Sequence, residues 1–159
     1  MPQRKESVLM SIFPTKILLA TDGSEEAELA RTTALDIAAS THSELHLVTV
    51  APGYPTYDVN VPNVIEQLRE QAEKVLDEQA EKAEREGGTV AERHLRIASR
   101  RRSQQIVQVA EDIGAGLIVM GSRGLGGLRR ALMGSVSDSV VRHAHCPVLV
   151  VRLEKEKAA

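Results

Sequence analysis

Tryptophan is absent from this chain, and Phe13, Tyr54 and Tyr57 supply all of its Phe and Tyr. The core must therefore be built from Val, Leu, Ile and Ala, and nucleic-acid binding by base stacking on aromatic platforms is disfavoured. A lone cysteine, Cys146, rules out an intrachain disulfide framework. Neither sign of charge is in excess. The 20 Lys and Arg against 22 Asp and Glu leave a formal net charge of -2, which provides no global basic field for DNA or RNA. No apolar run approaches the length of a membrane span. Arg4 and Lys5 precede only a short apolar patch before Pro14, which is not the pattern of a secretion signal. These absences read as a reduced, intracellular, cytoplasmic protein with neither a nucleic-acid nor a membrane partner.

What is present suffices for one domain: 159 residues can bury a core without disulfides or a structural metal. Pro2 and Pro14 bracket a mixed segment that reads as a flexible N-terminal tail over 1–14. The charged end over 154–159 reads as a fraying C-terminal tail, which leaves 15–153 as the domain. Lys16–Ala20 is a short apolar run expected as a buried strand, and Thr21–Ser24 is turn chemistry. A helix is expected from Ser24 to Ala39, with Ala27, Ala30, Ala34, Ile37 and Ala38 along one side. Leu45–Val50 reads as the second strand, and Gly53–Val61, with both tyrosines, as a loop.

Pro62 fits the first turn of the next helix, where its missing N–H costs little. Val64, Ile65, Leu68, Ala72, Val75, Leu76, Ala80 and Ala83 recur at helical spacing and predict one buried face, the other being almost wholly charged or amide. Gly87 and Gly88 supply the stop. Thr89–Ile97 is expected as a strand, Arg102–Ile113 as a helix and Leu117–Met120 as a strand covered on both faces. Ser135–Ala144 and Pro147–Val151 read as the last helix and strand.

Strands alternating with helices imply a parallel sheet between two helical layers, a three-layer α/β/α arrangement. Right-handed crossovers restrict the topology. If the first two run one way and the later ones the other, the strand order is 3-2-1-4-5. Ligands of such sheets bind beyond the carboxyl ends of the strands at the point of reversal. Here that point is flanked by Ala20-Thr-Asp-Gly23 and Met120-Gly-Ser-Arg-Gly124.

The stretch from Gly121 to Ser137 follows a buried strand and runs into a helix. A polyphosphate needs several N–H donors with no Cβ in the way, which glycines and a helix N-terminus provide. Ser135 and Ser137 add hydroxyls, and Arg123, Arg129 and Arg130 add positive charge. A P-loop would require Gly-Lys-Ser/Thr, but Ser135 follows Gly134 directly. A dinucleotide fingerprint would follow the first strand, where Thr-Asp-Gly-Ser stands instead. The competing local reading is a flexible loop in which Ser135 caps the last helix and Asp138 completes a capping box. Local sequence leaves the two readings open.

The spacing Gly121-x2-Gly124-x9-Gly134-Ser135 resembles the nucleotide-binding signature of the universal stress protein family, in its ATP-binding branch. Lys16–Ser24 resembles that family's opening strand and acidic turn, and Ala144–Val151 its closing strand. The resemblance implies an adenine nucleotide alpha hydrolase-like, Rossmann-like fold. It also implies binding of ATP, with ADP or AMP as alternatives, together with Mg2+. Asp22 would contact the adenosine end, with Ala20 and Thr21 beside it, and the backbone of Val50 would read adenine. Gly121, Ser122, Arg123 and Gly124 would wrap the ribose and phosphates, with Met120 counted beside them. Gly134, Ser135, Val136 and Ser137 would hold the phosphates from the helix end. Two stretches depart from the family's pattern: Val48-Thr-Val50 stands for a frequent Val-His-Val, and Ser99-Arg-Arg-Arg-Ser103 for a Gly-containing turn. The resemblance further implies a stress-response regulator that forms a homodimer. Val148 to Val151 would supply the contact, since an uncovered apolar strand invites pairing. The alternative is a dimeric interaction module of the same fold that does not use its loop.

Other candidates have plainer readings. Asp22 and Glu25 have the spacing of a capping box. His143 and His145 do not share a helical face and suit a helix C-terminus, while His42, His46 and His94 read as scattered, so no metal-ligand cluster is evident. Cys146 reads as an inert core thiol. Arg100 to Arg102 oppose a helix dipole and read as a solvated loop, with an anion or partner contact beside the site as the sharper hypothesis. No Ser-His-Asp set or paired acid and base is evident. Catalysis would be limited to slow hydrolysis of bound ATP through positioning and Mg2+.

Overall fold

A computed structural model describes residues 11–53, 61–99, 101–123 and 133–154, with no side-chain description at 61 and 62. The chain alternates through β1 (Lys16–Ala20), α1 (Glu25–Thr41), β2 (Glu44–Pro52), α2 (Val61–Arg85), β3 (Val90–Ala98), α3 (Arg102–Ile113), β4 (Leu117–Gly121), α4 (Ser135–His143) and β5 (Val148–Val151). The five strands form one parallel sheet in the order β3-β2-β1-β4-β5, as the alternation predicted. The winding direction reverses between β1 and β4, which are paired from Ile17 with Leu117 to Ala20 with Met120.

The central strands are apolar on both faces because both are covered. Alternate residues Ile17, Leu19, Leu45, Leu47, Leu117 and Val119 pack on Ala30, Ala34 and Ala38 of α1 and on Leu76 and Ala80 of α2. The residues between them, Leu18, Ala20, Val48, Ile118 and Met120, pack on Ile106, Val109 and Ala110 of α3 and on Val140 of α4. The alanine stripe of α1 lets that helix approach the sheet closely, so a core with almost no rings still closes.

Helix ends differ from the sequence expectation in instructive ways. Ser24 is the N-cap of α1, its hydroxyl accepting from the Ala27 N–H at 3.3 Å, and it is not part of the helix. The far end runs past Ala39 to Thr41, where Ser40 and Thr41 return their hydroxyls to the carbonyls of Asp36 and Ile37 at 2.7 and 2.6 Å. His42 closes the helix in the left-handed region. The apolar face of α2 was expected to be buried from Val64 onward. Instead Val64 is exposed and Ile65 and Leu68 are only half-buried, burial becoming full at Ala72, Leu76, Ala80 and Ala83. A helix of 25 residues spans about 37 Å, longer than the nine-residue strand it packs on, which spans about 30 Å. The first turns therefore have no sheet beneath them.

The polar side of α2 is not wholly solvated either. Gln79 is buried, and it joins an ionic cluster centred on Arg31 of α1, itself 5% exposed. The Arg31 guanidinium donates to Gln79 Oε1 at 2.7 Å, to both carboxylate oxygens of Glu86 at 2.8 and 3.3 Å, and to Glu28. Glu28 also accepts from Gln79 at 2.9 Å and from Lys82 at 2.7 Å. A buried guanidinium is tolerated only when its donors are satisfied, and here the partners bolt α2 to α1.

Burial raises the Glu28 pKa, but the hydrogen bonds from Lys82, Gln79 and Arg31 together outweigh it and hold the carboxyl at about 2, below its ordinary 4.5. A depressed folded-state value means that its contribution is fully present above 4.5 and is lost as pH falls from 4.5 toward 2. Thermal melts across that window should show a shallower loss of stability for Glu28→Gln than for the parent chain. Parallel acid limbs would show that Glu28 is not a source of the acid sensitivity.

Candidate functional site

The sequence-predicted residues that the structure describes converge at the carboxyl ends of β1, β2 and β4 and the start of α4. Ala20 is paired with Val48 on one side and Met120 on the other. The Thr21 N–H then donates to the Val48 carbonyl at 3.0 Å, and the Thr49 hydroxyl donates to the Thr21 carbonyl at 3.0 Å. These bonds hold the β1 exit against β2, two residues before Val50. Asp22 begins the turn, its Oδ1 accepting from the Ser24 N–H at 3.0 Å. Ser24 rather than Asp22 is the helix cap, so the expected Asp22–Glu25 capping box does not form.

Across the switch point, β4 ends at Gly121 and leads into Ser122. That residue is fully buried and uses every polar group it has. Its N–H donates to the Val151 carbonyl at 2.9 Å. Its carbonyl accepts from the Gly134 N–H at 2.5 Å and the Ser137 hydroxyl at 2.6 Å. Its own hydroxyl donates to Glu26 Oε2 at 2.5 Å. Ser122 thus joins β4 to β5, to the start of α4 and to the first turn of α1.

Two glycines are demanded by these approaches. A Cβ at Gly121 would lie 2.9 Å from the Cβ of Glu26, so the strand could not pass so close to α1. A Cβ at Gly134 would press on the Ser122 carbonyl at 3.0 Å. Gly134 is also the N-cap of α4, with no side-chain cap bond, and Ser135 is the first helical residue. The expected Ser135–Asp138 capping box is therefore absent, and Asp138 instead pairs with Arg142 at 3.0 Å. The opening of α4 leaves N–H groups without intrahelical carbonyl partners, beside the β4 exit. With the helix dipole they form an anion-attracting edge. The Ser137 hydroxyl is committed to Ser122 and Gly134 and acts inside the scaffold. Gly124, Arg129 and Arg130 lie outside the described residues, as do Arg100 and both tyrosines.

Sequence reasoning missed Glu26. In a first turn rich in acid it looks like a solvated partner of the helix dipole, yet it is 6% exposed. Besides Ser122 it accepts from the Arg123 N–H at 2.7 Å and lies 3.6 Å from the Arg123 guanidinium. Burial raises its pKa, but the Ser122 and backbone hydrogen bonds and the Arg123 charge together hold it below the ordinary value. Helical spacing carried the signal, because Glu26 stands four and eight residues before Ala30 and Ala34 on the buried stripe.

The histidines also need correction. His46 and His94 are not scattered: their rings lie nearly parallel at a centroid distance of 5.7 Å, and with Glu92 they form a group of metal-capable donors. His143 and His145 do sit at the end of α4, where His143 Nδ1 meets the Ser139 carbonyl at 2.8 Å and His145 pairs with Glu111 at 2.6 Å. Cys146 is half-buried, and burial pushes its thiol up, away from reactivity. Arg101 occupies the cap position of α3 without a side-chain cap bond.

Comparison with known proteins agrees with this architecture. The sequence profile described as the universal stress protein family matches residues 14–152. A Staphylococcus haemolyticus protein that bears the family's name is 38% identical over 143 residues, covering 87% of this chain and 85% of its own length. A crystal structure of a family protein from Burkholderia pseudomallei superposes with a TM-score of 0.70 at 32% identity, over 89% of this chain and 98% of the other. A universal stress protein solved in complex with cAMP superposes with a TM-score of 0.65 at 25% identity, over 89% and 98% of the two chains.

Removing the Glu26 carboxylate would leave the buried Ser122 hydroxyl and the Arg123 N–H without their acceptor. Glu26→Ala should therefore lower unfolding stability by about 1–3 kcal/mol in urea titrations. Glu26→Gln, which keeps one acceptor oxygen, should lose less. Equal midpoints for Glu26→Ala and the parent chain would show that this carboxylate does not hold the β4 exit.

Proposed function

This chain belongs to the universal stress protein family, and on that premise we propose that it binds an adenine nucleotide as a nucleotide-dependent stress-response regulator. ATP with Mg2+ is the ligand of first choice, with ADP or AMP as alternatives. The observation that carries this reading is the Ser122–Gly134 bond, which sets the open N-terminus of α4 beside the β1–β4 switch point. A helix end at such a junction suits phosphate, and the cradle has no Cβ where the backbone is closest. The relative solved with cAMP supports an adenine ring in the same fold.

The residues fit the group in a definite division of labour. The N–H groups of Ser135 and Val136 face the phosphates from the helix end, while Ser122 and Ser137 act by position, their hydroxyls being spent inside the protein. Gly121 keeps α1 close to the β4 exit, and Arg123 brings charge. Ala20, Thr21 and Asp22 flank the adenosine end, with the backbone of Val50 toward adenine and Met120 beside Ala20. Gly124 belongs to the same loop. Mg2+ commonly takes few protein carboxylates plus phosphate oxygens, and Asp22 is the carboxylate among these residues. The bound ion would draw charge from the phosphates. The chain's own groups orient them, and no general base is needed for binding; any ATP hydrolysis is slow. The domain spans 15–153, between tails over 1–14 and 154–159, and works in the cytoplasm.

A second reading, a dimeric interaction module that leaves the loop unused, is favoured by β5. This strand is at the end of the sheet order, paired to β4, with Leu149 36% exposed. Pairing of Val148–Val151 with a second copy would give the homodimer in either reading.

Calorimetry with ATP, ADP and AMP separates the two. Binding of at least one nucleotide, weakened roughly tenfold (about 1.4 kcal/mol) by Gly134→Ala in a chain that still folds, is the expected result. No affinity for any adenine nucleotide would remove the first reading. A monomer in light scattering at micromolar concentration would remove the dimer from both.

A further inference from the structure

At the opposite end of the sheet, near the start of β2, His46, Glu92 and His94 come together on the face that carries α3. We propose that these three residues form a binding site for a divalent transition-metal ion, with Zn2+ as the favoured occupant. The site is independent of the nucleotide reading.

The geometry suits such an ion. Two donors about 2.0–2.1 Å from a tetrahedral Zn2+ stand roughly 3.3–3.4 Å apart. His46 Nδ1 and His94 Nε2 are 3.4 Å apart, and His94 Nε2 is 3.5 Å from Glu92 Oε2. The donor atoms of all three residues lie within 4.8 Å of one another. The two rings lie nearly parallel, at 19° with centroids 5.7 Å apart, and meet edge to edge, so the two nitrogens face each other directly. At 3.4 Å the direct contact is long for a hydrogen bond, and an ion beside that line can draw on a lone pair from each ring. Imidazole with one carboxylate selects Zn2+, Co2+, Ni2+ or Cu2+ over Mg2+ and Ca2+, which prefer all-oxygen surroundings.

The support around the ligands is also present. His46 is buried, and its other nitrogen, Nε2, lies 3.1 Å from Glu44 Oε2. A proton on Nε2 donated to Glu44 leaves the Nδ1 lone pair facing His94, the usual carboxylate–histidine–metal arrangement. His94 is largely covered, while Glu92 is exposed and opens the group to solvent for ion entry and for a water as fourth ligand. Arg96 and Asp112 are the other charges that act on His94.

A backbone irregularity independently serves this grouping. β2 and β3 pair as Leu45 with Val90 but His46 with Glu92, so Ala91 is an extra residue in β3. Before it, Val90 packs toward α1 and α2. After it, Leu95 does so, and Arg93 reaches Asp77 and Glu84 of α2. Glu92 and His94 are thereby turned to the His46 face. Without the bulge Ala91 would stand opposite His46. Bulges commonly re-aim side chains beside functional sites.

The test uses the full chain without an affinity tag, stripped with EDTA and titrated with CoCl2 under visible absorption, then with ZnCl2 in competition. One equivalent of Co2+ with d–d bands of a low-coordinate ion, displaced by Zn2+ but not by excess Mg2+, is expected. Glu92→Gln, a change at an exposed position, should weaken Co2+ binding at least tenfold, and His94→Ala should abolish it. Glu44→Gln, at the positioning residue, should weaken it about 10–100-fold and alter the d–d spectrum. Failure of the parent chain to take up either ion would overturn the proposal. So would uptake that both Glu92→Gln and His94→Ala leave unchanged, which would assign it to His42, His143 or His145. If circular dichroism shows that His94→Ala does not fold, Glu92→Gln decides.

Discussion

The fold converges on one buried serine. Ser122 has three polar groups and no access to water, and each group is spent on a different element: its N–H on β5, its carbonyl on the start of α4, its hydroxyl on the first turn of α1. Because an unpaired group there would carry the full cost of desolvation, the three elements are not free to drift relative to the β4 exit. Gly121 and Gly134 are consequences of this closeness rather than independent features. Each occupies a place where a Cβ would push a neighbour aside. The anion-attracting end of α4 is held by the same carbonyl, so the site inherits its rigidity from the core.

A second tie does for the outer layer what Ser122 does for the inner one. The core is made from small and branched aliphatic side chains, and α1 presents mostly alanine to the sheet. Such a surface fits closely but offers little to fix the azimuth of the neighbouring helix. The Arg31 cluster provides that direction, linking residues 48 to 55 positions apart in sequence through charge-assisted bonds. Apolar packing sets the distance between layers, and the polar network sets how α1 and α2 are turned.

Much of this was legible along the chain. Lys16–Ala20 and Arg102–Ile113 carry both their type and their limits in local sequence. The β1–β4 adjacency is one of the few topologies that alternation and crossover handedness allow, and it sets Ala20–Asp22 beside Met120–Arg123. What stayed hidden shares one physical cause: local pattern does not report which polar side chain is buried by a distant partner. Glu26 and Arg31 look like ordinary surface charges of a first turn and a mid-helix position. Gln79 looks like one more amide on the wet side of α2. Ser122 looks like a hydroxyl offered to a ligand. The exposed start of α2 was misread for the converse reason, since periodicity marks an apolar face whether or not a sheet lies beneath it.

The extra residue at Ala91 gives β3 an unusual relation to chain length. A strand with period two keeps one set of side chains on each face, and this one exchanges the sets partway along. Side-chain identity at Ala91 matters little, since it is exposed and its backbone does the shifting. Pairing Ala91 with His46 would instead restore uniform pleating and evert everything downstream, placing Arg93 and Leu95 on the α3 face and Glu92, His94 and Arg96 against α2, whereas removing Ala91 would let Glu92 follow Val90 in regular alternation and leave both faces as they are. In evolutionary terms the position itself is nearly blind to substitution and to deletion, and what must be kept is the register in which His46 meets Glu92 rather than Ala91.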